Sequence, residues 1–220
     1  MGKNKPIVSF TGEGFVKVTP NQAVVTLTVH ARSNDCVGDA ITKQTKQKSD
    51  LLGFLRGLKV DDKNILSSGY TNGPELEYDN TRHKNLETGW FLATESVTVR
   101  VATELAGKVS GGASKWAKVD STSFVVSRTL ARETREKATE IAIADAEAKA
   151  SKRAARLSLK LGDLVGFVEG GNGQTPQPQM NRMHSLALAA GAEAYDGSDA
   201  SLSVGEAEIS AAVVLTYELK

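Results

Sequence analysis

Ala138-Thr139-Glu140-Ile141-Ala142-Ile143-Ala144-Asp145-Ala146-Glu147-Ala148-Lys149-Ala150-Ser151-Lys152-Arg153-Ala154 sets alanine at every fourth position: Ala138, Ala142, Ala146, Ala150 and Ala154. Steps of four fall on one helix face, and a stripe with nothing beyond Cβ lets a helix backbone lie close against a sheet. The spacing predicts one long helix from Arg132 to Leu161, ending at Gly162. Glu133 with Lys137 and Asp145 with Lys149 are helix-supporting pairs, so the opposite face, Glu147 included, reads as solvated. Thirty residues extend about 45 Å, against a radius of gyration near 17 Å for a compact chain of this length. The helix therefore spans the body or projects from it.

The opening of the chain supplies the sheet. Ala23, Val25, Leu27, Val29 and Ala31 alternate with Val24, Thr26, Thr28 and His30, the period-two pattern of a strand with one face buried. With the strand before it, this reads as a strand-turn-strand opening from Ile7 to Ala31. Ser33-Asn34-Asp35 offers cap chemistry for a helix from about Cys36 to Leu58, with Ala40, Ile41, Leu51, Leu52, Leu55 and Leu58 toward the core. A strand follows from about Ile65, then Asn72-Gly73-Pro74, a polar stretch through Glu87, and a strand alternating Val97, Val99 and Val101 with polar residues. A short helix lies around Glu104 to Gly111.

The second part repeats the pattern: Phe124-Val125-Val126, the alanine helix, a strand from Leu164 to Glu169, and a closing strand with Ile209, Ala211, Val213, Leu215, Tyr217 and Leu219 on one face. The expected fold is α+β over residues 7–219, two β-α-β-β halves at 7–102 and 119–219 with antiparallel sheets and the alanine helix on the sheet. Between the last two strands of the second half lies a long flexible loop at 170–203, rich in Gly, Gln, Asn, Ala and Pro. Its Met180, Met183, Leu186 and Leu188 are the candidate partner-binding residues.

Composition narrows the functional classes. The 27 Lys and Arg against 26 Asp and Glu leave a charge of +1, so no overall field steers the chain to nucleic acid. No apolar run approaches the roughly 20 residues of a membrane span. A single cysteine, Cys36, forbids an internal disulfide and says nothing of compartment. Its place at a helix start is one where a thiol can be reactive, but a structural cysteine is the simpler reading. Met1-Gly2-Lys3 precedes the domain without an apolar segment, which suggests an export signal encoded upstream.

No segment carries a catalytic signature. Gly12-Glu13-Gly14 starts like a dinucleotide fingerprint, yet Phe15 to Val18 continues as a strand, so a bulge or tight turn is the ordinary reading. Gly170-Gly171-Asn172-Gly173 lacks the Lys-Ser/Thr ending of a phosphate loop. His30, His83 and His184 match no zinc spacing. Catalytic, cofactor and metal residues are accordingly expected to be none.

Val8-Ser9-Phe10-Thr11-Gly12-Glu13-Gly14, Pro20-Asn21-Gln22-Ala23, Phe91-Leu92-Ala93, Leu161-Gly162-Asp163-Leu164-Val165 and Gly205-Glu206 before Ile209 to Leu219 together resemble the SIMPL domain family, from about Ile7 to Leu219. Two departures are Pro20-Asn21 where Pro-Asp is common and Trp90-Phe91 in place of Gly-Tyr. The resemblance implies an α+β domain of secreted, periplasmic or envelope-associated bacterial proteins, some forming ring-like oligomers. It also implies links to oxidative-stress tolerance and immunogenic antigens, with no agreed catalytic residues. The family name further records a mammalian signalling adaptor.

The leading expectation is a non-enzymatic periplasmic or envelope protein, a homo-oligomer acting by self-assembly, without cofactor, nucleic acid or membrane span. A monomeric adaptor gripping a protein partner through the 170–203 loop is the alternative, with a cytoplasmic location if no upstream signal exists. An unrecognised enzyme ranks last.

Overall fold

A computed structural model describes residues 6–80, 82–170 and 202–220. In chain order the elements are β1 (Ile7–Val18), β2 (Gln22–Ser33), α1 (Val37–Gly57), β3 (Ile65–Asp79), β4 (Lys84–Ala102), α2 (Ala106–Ala113), β5 (Lys118–Val125), α3 (Arg128–Arg156), β6 (Leu161–Gly170) and β7 (Ala207–Leu219). Met180, Met183, Leu186 and Leu188 lie outside the described residues.

The elements sort into two compact units. One holds β1, α3, β6 and β7; the other holds β2, α1, β3, β4, α2 and β5. Each contains a β-α-β-β run, but they are nested: the second unit is inserted between β1 and α3 of the first. The boundaries therefore differ from contiguous stretches at 7–102 and 119–219. β1 pairs along its length with β7, Ile7 opposite Glu218 and Val18 opposite Ala207, and forms no hairpin with β2. The connection holds Pro20-Asn21 and none of the glycine-bearing dipeptides that close a two-residue hairpin.

Both sheets are antiparallel and share one strand order. In β1-β7-β6 the third strand of the run lies between the first and second, and β3-β4-β2 repeats this, with β5 added beyond β2. The helices also end alike. Lys59 after α1 and Ser158 after α3 adopt φ of 61° and 54°. Val60 then donates to the Leu55 carbonyl and Lys59 to the Arg56 carbonyl, and likewise Leu159 to Ala154 and Ser158 to Ala155, the two return bonds of a Schellman cap at each helix end. The cap at Ser158 ends α3 before Gly162, which instead belongs to β6.

The β-α-β-β-α-β unit is held by a row pattern. Ala23, Val25, Leu27 and Val29 of β2 and Val97, Val99 and Val101 of β4 face Leu51 and Leu55 of α1 and Ala106, Val109 and Ala113 of α2. Neighbouring strands and alternating side chains make this face the core by the same parity that exposes its opposite. At the α1 start Cys36 makes no side-chain cap bond, and the Ser33 hydroxyl instead accepts from the Asp35 amide.

In the other unit the alanine stripe is the interface. Ala138, Ala142, Ala146, Ala150 and Ala154 are buried, and Ala142 and Ala146 pack with Val213 and Leu215 of β7. The Ser127 hydroxyl caps the helix by accepting from Leu130, so α3 begins at Arg128, four residues before the Arg132 start read from the sequence.

Candidate functional site

Glu95 sits on the inward row of β4, between Ala93 and Val97, where every other position is apolar. α1 places Gln44 and Lys48 over it, one turn apart. Gln44 Nε2 donates to Oε2 at 3.0 Å and Lys48 Nζ to Oε1 at 2.6 Å. Burial pushes the Glu95 carboxyl up, but the bonds from Lys48, Gln44 and Ser67 outweigh it and hold the carboxyl below the usual range. A buried carboxylate so satisfied is an anchor for α1 on the sheet rather than a free acid or base. The signal was present as an acid at inward parity in Ala93-x-Glu95-x-Val97.

The two units differ in how they finish their sheet edges. β1 is an edge strand, and α3 covers two of its backbone groups: Asp145 Oδ2 accepts from the Glu13 amide at 2.9 Å, and Lys149 Nζ donates to the Thr11 carbonyl at 3.2 Å. Lys149 also bonds Asp145 at 2.6 Å. Lys149 first, and then the Glu13 amide, hold the Asp145 carboxyl below its usual range. The corresponding edge of β2 is covered by β5. The edge of β3 is broken by register shifts at Ser68/Thr71 and Pro74/Leu76.

β6 has no such cover among the described residues. Its ladder with β7 shifts register at Leu161/Leu164 and Leu164/Gly166 and is regular from Gly166 to Gly170, and Leu164, Val165, Phe167 and Val168 stand 52, 51, 49 and 59% exposed. Phe167 lies opposite Leu215 and Val168 opposite Val214, so the strand carries apolar side chains on both faces. Consecutive apolar residues usually mark a strand buried on both sides; here they mark an exposed edge, which natural proteins ordinarily charge or cover.

The remaining sequence candidates do not converge. Gly12 and Gly14 are packing positions: a Cβ there would stand 1.9 Å from the Ala142 oxygen and 2.0 Å from the Ala138 oxygen. His30 is on the solvent face of β2, His83 is in the β3–β4 turn at φ 50°, and Cys36 is exposed. Among the described residues no three His, Cys, Asp or Glu side chains are grouped to hold a metal. No helix among them is long and apolar enough to cross a membrane.

A nested pair of β-α-β-β units, with an alanine-striped helix on one sheet and an open apolar edge, defines an α+β protein of two antiparallel sheets. The family model SIMPL, described as a protein of unknown function (DUF541), matches residues 8–217. The chain belongs to this family. Among curated proteins it is similar to the 26 kDa periplasmic immunogenic proteins of Brucella melitensis biotype 1 and Brucella abortus (strain S19). Each is 26% identical over 227 residues, covering 97% of this chain and 84% of the relative.

Proposed function

We propose that this protein is a non-enzymatic periplasmic or envelope protein that works by self-assembly, with β6 joining one copy to the next. The observation that carries the reading is how the edges differ among the described residues: β1 is capped by Asp145 and Lys149, β3 shifts register at Ser68/Thr71 and Pro74/Leu76, and β6, which shifts register up to Gly166 and is regular from Gly166 to Gly170, carries uncovered apolar side chains. An open edge offers a row of unpaired amides and carbonyls to another strand. Because β6 is the apolar uncovered edge among the described residues, whereas the edge strand β5 carries Lys118, Asp120, Ser121 and Ser123, its partner is β6 of a second copy, antiparallel about a two-fold axis. Leu164, Val165, Phe167 and Val168 then lose water on both faces of the joined sheet, a gain of roughly 25 cal/mol per Å² of apolar surface. The periplasmic relatives support the location, and the family resemblance extends the reading to tolerance of oxidative stress.

Multi-angle light scattering across a dilution series tests the assembly. Wild type should be oligomeric, and Val168→Lys should move it toward monomer with unchanged circular dichroism. A wild-type chain that stays monomeric at high concentration ends the reading. Fractionation of the native host should find the protein in the periplasm, and a deletion strain should be more sensitive to peroxide.

A further inference from the structure

α1 and α2 pack on one face of the four-stranded sheet, and among the described residues of that unit no helix covers the other. Register lays out what this second face carries. Thr26 lies between Thr98 of β4 and Ser121 of β5, and Ser96 lies between Thr28 of β2 and Ser68 of β3. His30 follows beside Thr94, then Arg32 beside Leu92. The strands are about 4.8 Å apart and same-face residues about 7 Å apart along each, so the hydroxyls form a two-dimensional lattice on a rigid backbone, bordered by Leu66 of β3, which lies opposite Thr98 and is 65% exposed.

Those hydroxyls are uncommitted. Among the described residues, the hydroxyls of Thr26, Ser68, Thr94, Ser96, Thr98 and Ser121 bond no other residue, whereas the Thr28 hydroxyl donates to Asp120. The charges nearby are largely taken up by one another: Arg32 pairs with Glu75, and Lys118 with Asp120 at 3.2 Å. Arg100 adds one cation at the far end. At the Arg32 end the guanidinium lies 5.5 Å from the centre of the Trp90 ring, which is 41% exposed. The indole is thereby held in place with surface still open to a ligand.

We propose that this face binds a neutral glycan chain, sugar hydroxyls meeting the Ser and Thr lattice and one sugar ring lying on Trp90. Each serine or threonine hydroxyl offers one donor and two acceptor sites, which is also what a sugar hydroxyl offers. A ring with an apolar side and polar rim suits an indole beside a hydrogen-bonding row. A protein partner fits less well, because its interface core would be rich in aromatic and aliphatic groups and would bury these hydroxyls without partners, at a cost for each. The balanced Arg32–Glu75 and Lys118–Asp120 pairs favour a ligand without strong charge. The site is independent of β6, which lies in the other unit.

Calorimetric titration with cellohexaose and with the hexamer of β-1,4-linked N-acetylglucosamine tests it, read in parallel by tryptophan fluorescence. At least one hexasaccharide should bind and quench emission, and Trp90→Phe should remove the quenching while Trp116 remains. The double variant Thr26→Val/Thr98→Val keeps side-chain shape and strand preference and should bind about tenfold or more weakly, each lost hydrogen bond being worth about fivefold. Ser96→Ala serves if that variant folds poorly. Thr216→Val, on the other sheet, should bind as wild type. Absence of binding to both hexasaccharides overturns the proposal, and so does equal binding by the valine and wild-type proteins.

Discussion

Gly12 and Ala142 meet backbone to backbone: a Cβ on Gly12 would stand 1.9 Å from the Ala142 oxygen and 2.6 Å from the Ala146 nitrogen. α3 can approach β1 this closely only because neither partner has a side chain of size at the contact. Ala142→Leu should therefore overpack the interface and cost about 1–3 kcal/mol, and Gly12→Ala should cost at least as much, since main chain must move. Ala144→Leu, on the exposed side of α3, should be near neutral. Urea denaturation of the three variants measures this, and equal effects at Ala142 and Ala144 would mean the helix phase is wrong.

The Lys48–Glu95 pair should make stability fall in acid. The Glu95 carboxyl is held below its unfolded value, so its contribution is present above about pH 4.3 and is lost as pH falls through the folded-state value. Lys48→Met leaves the carboxylate buried with Gln44 and Ser67 alone and should cost about 2–4 kcal/mol at pH 7, near the figure for breaking a buried pair. Glu95→Gln should flatten the acid limb between about pH 5 and 3. An acid limb as steep in Glu95→Gln as in wild type would remove Glu95 from the account.

The alternation in β2 and the stripe in α3 are signals local to the chain, and for that reason both β-α-β-β runs and the buried face of the long helix can be read from sequence. Their nesting cannot. It depends on β1 finding β7, as where Ser9 bonds Thr216, 207 positions away, and a glycine pair at Gly12 and Gly14 reads equally well as a turn until the helix above it is known. Helix ends were hidden for another reason: Lys59 and Ser158 take the left-handed conformation that glycine ordinarily supplies, while Gly57 and Gly162 stand close by in other roles. The candidate surfaces were the least legible. Leu164, Val165, Phe167 and Val168 look like a buried strand in one dimension, and the hydroxyl lattice exists only once four strands are in register.

Ser158 should be a site of easy stabilisation. At φ 54° a residue with a Cβ gives up about 1–2 kcal/mol that glycine does not, against the greater freedom glycine has in the unfolded chain. Ser158→Gly should raise stability by about 0.5–1 kcal/mol, and Lys59→Gly should do the same at the end of α1. A thermal melt decides it. A lower midpoint for both variants would show that the caps are held by side-chain contacts rather than by backbone conformation.

The caps on β1 should set the kind of assembly as well as its existence. Asp145 accepts from the Glu13 amide and Lys149 donates to the Thr11 carbonyl, so removing both exposes a second edge on a sheet whose other edge, β6, is already open. A copy with two open edges can pair head to tail without closing, which gives extended arrays instead of a closed pair. Asp145→Ala/Lys149→Ala should then show scattering that grows with time at neutral pH and fibrous particles by electron microscopy, while wild type stays at fixed size. Acid should act in the same direction on the wild type. The Asp145 carboxyl is held low by Lys149 and the Glu13 amide, so the cap is complete above about pH 4 and weakens as pH falls through the depressed value. A double variant that keeps the wild-type particle size at neutral pH would show that the β1 edge is closed by something other than these two side chains.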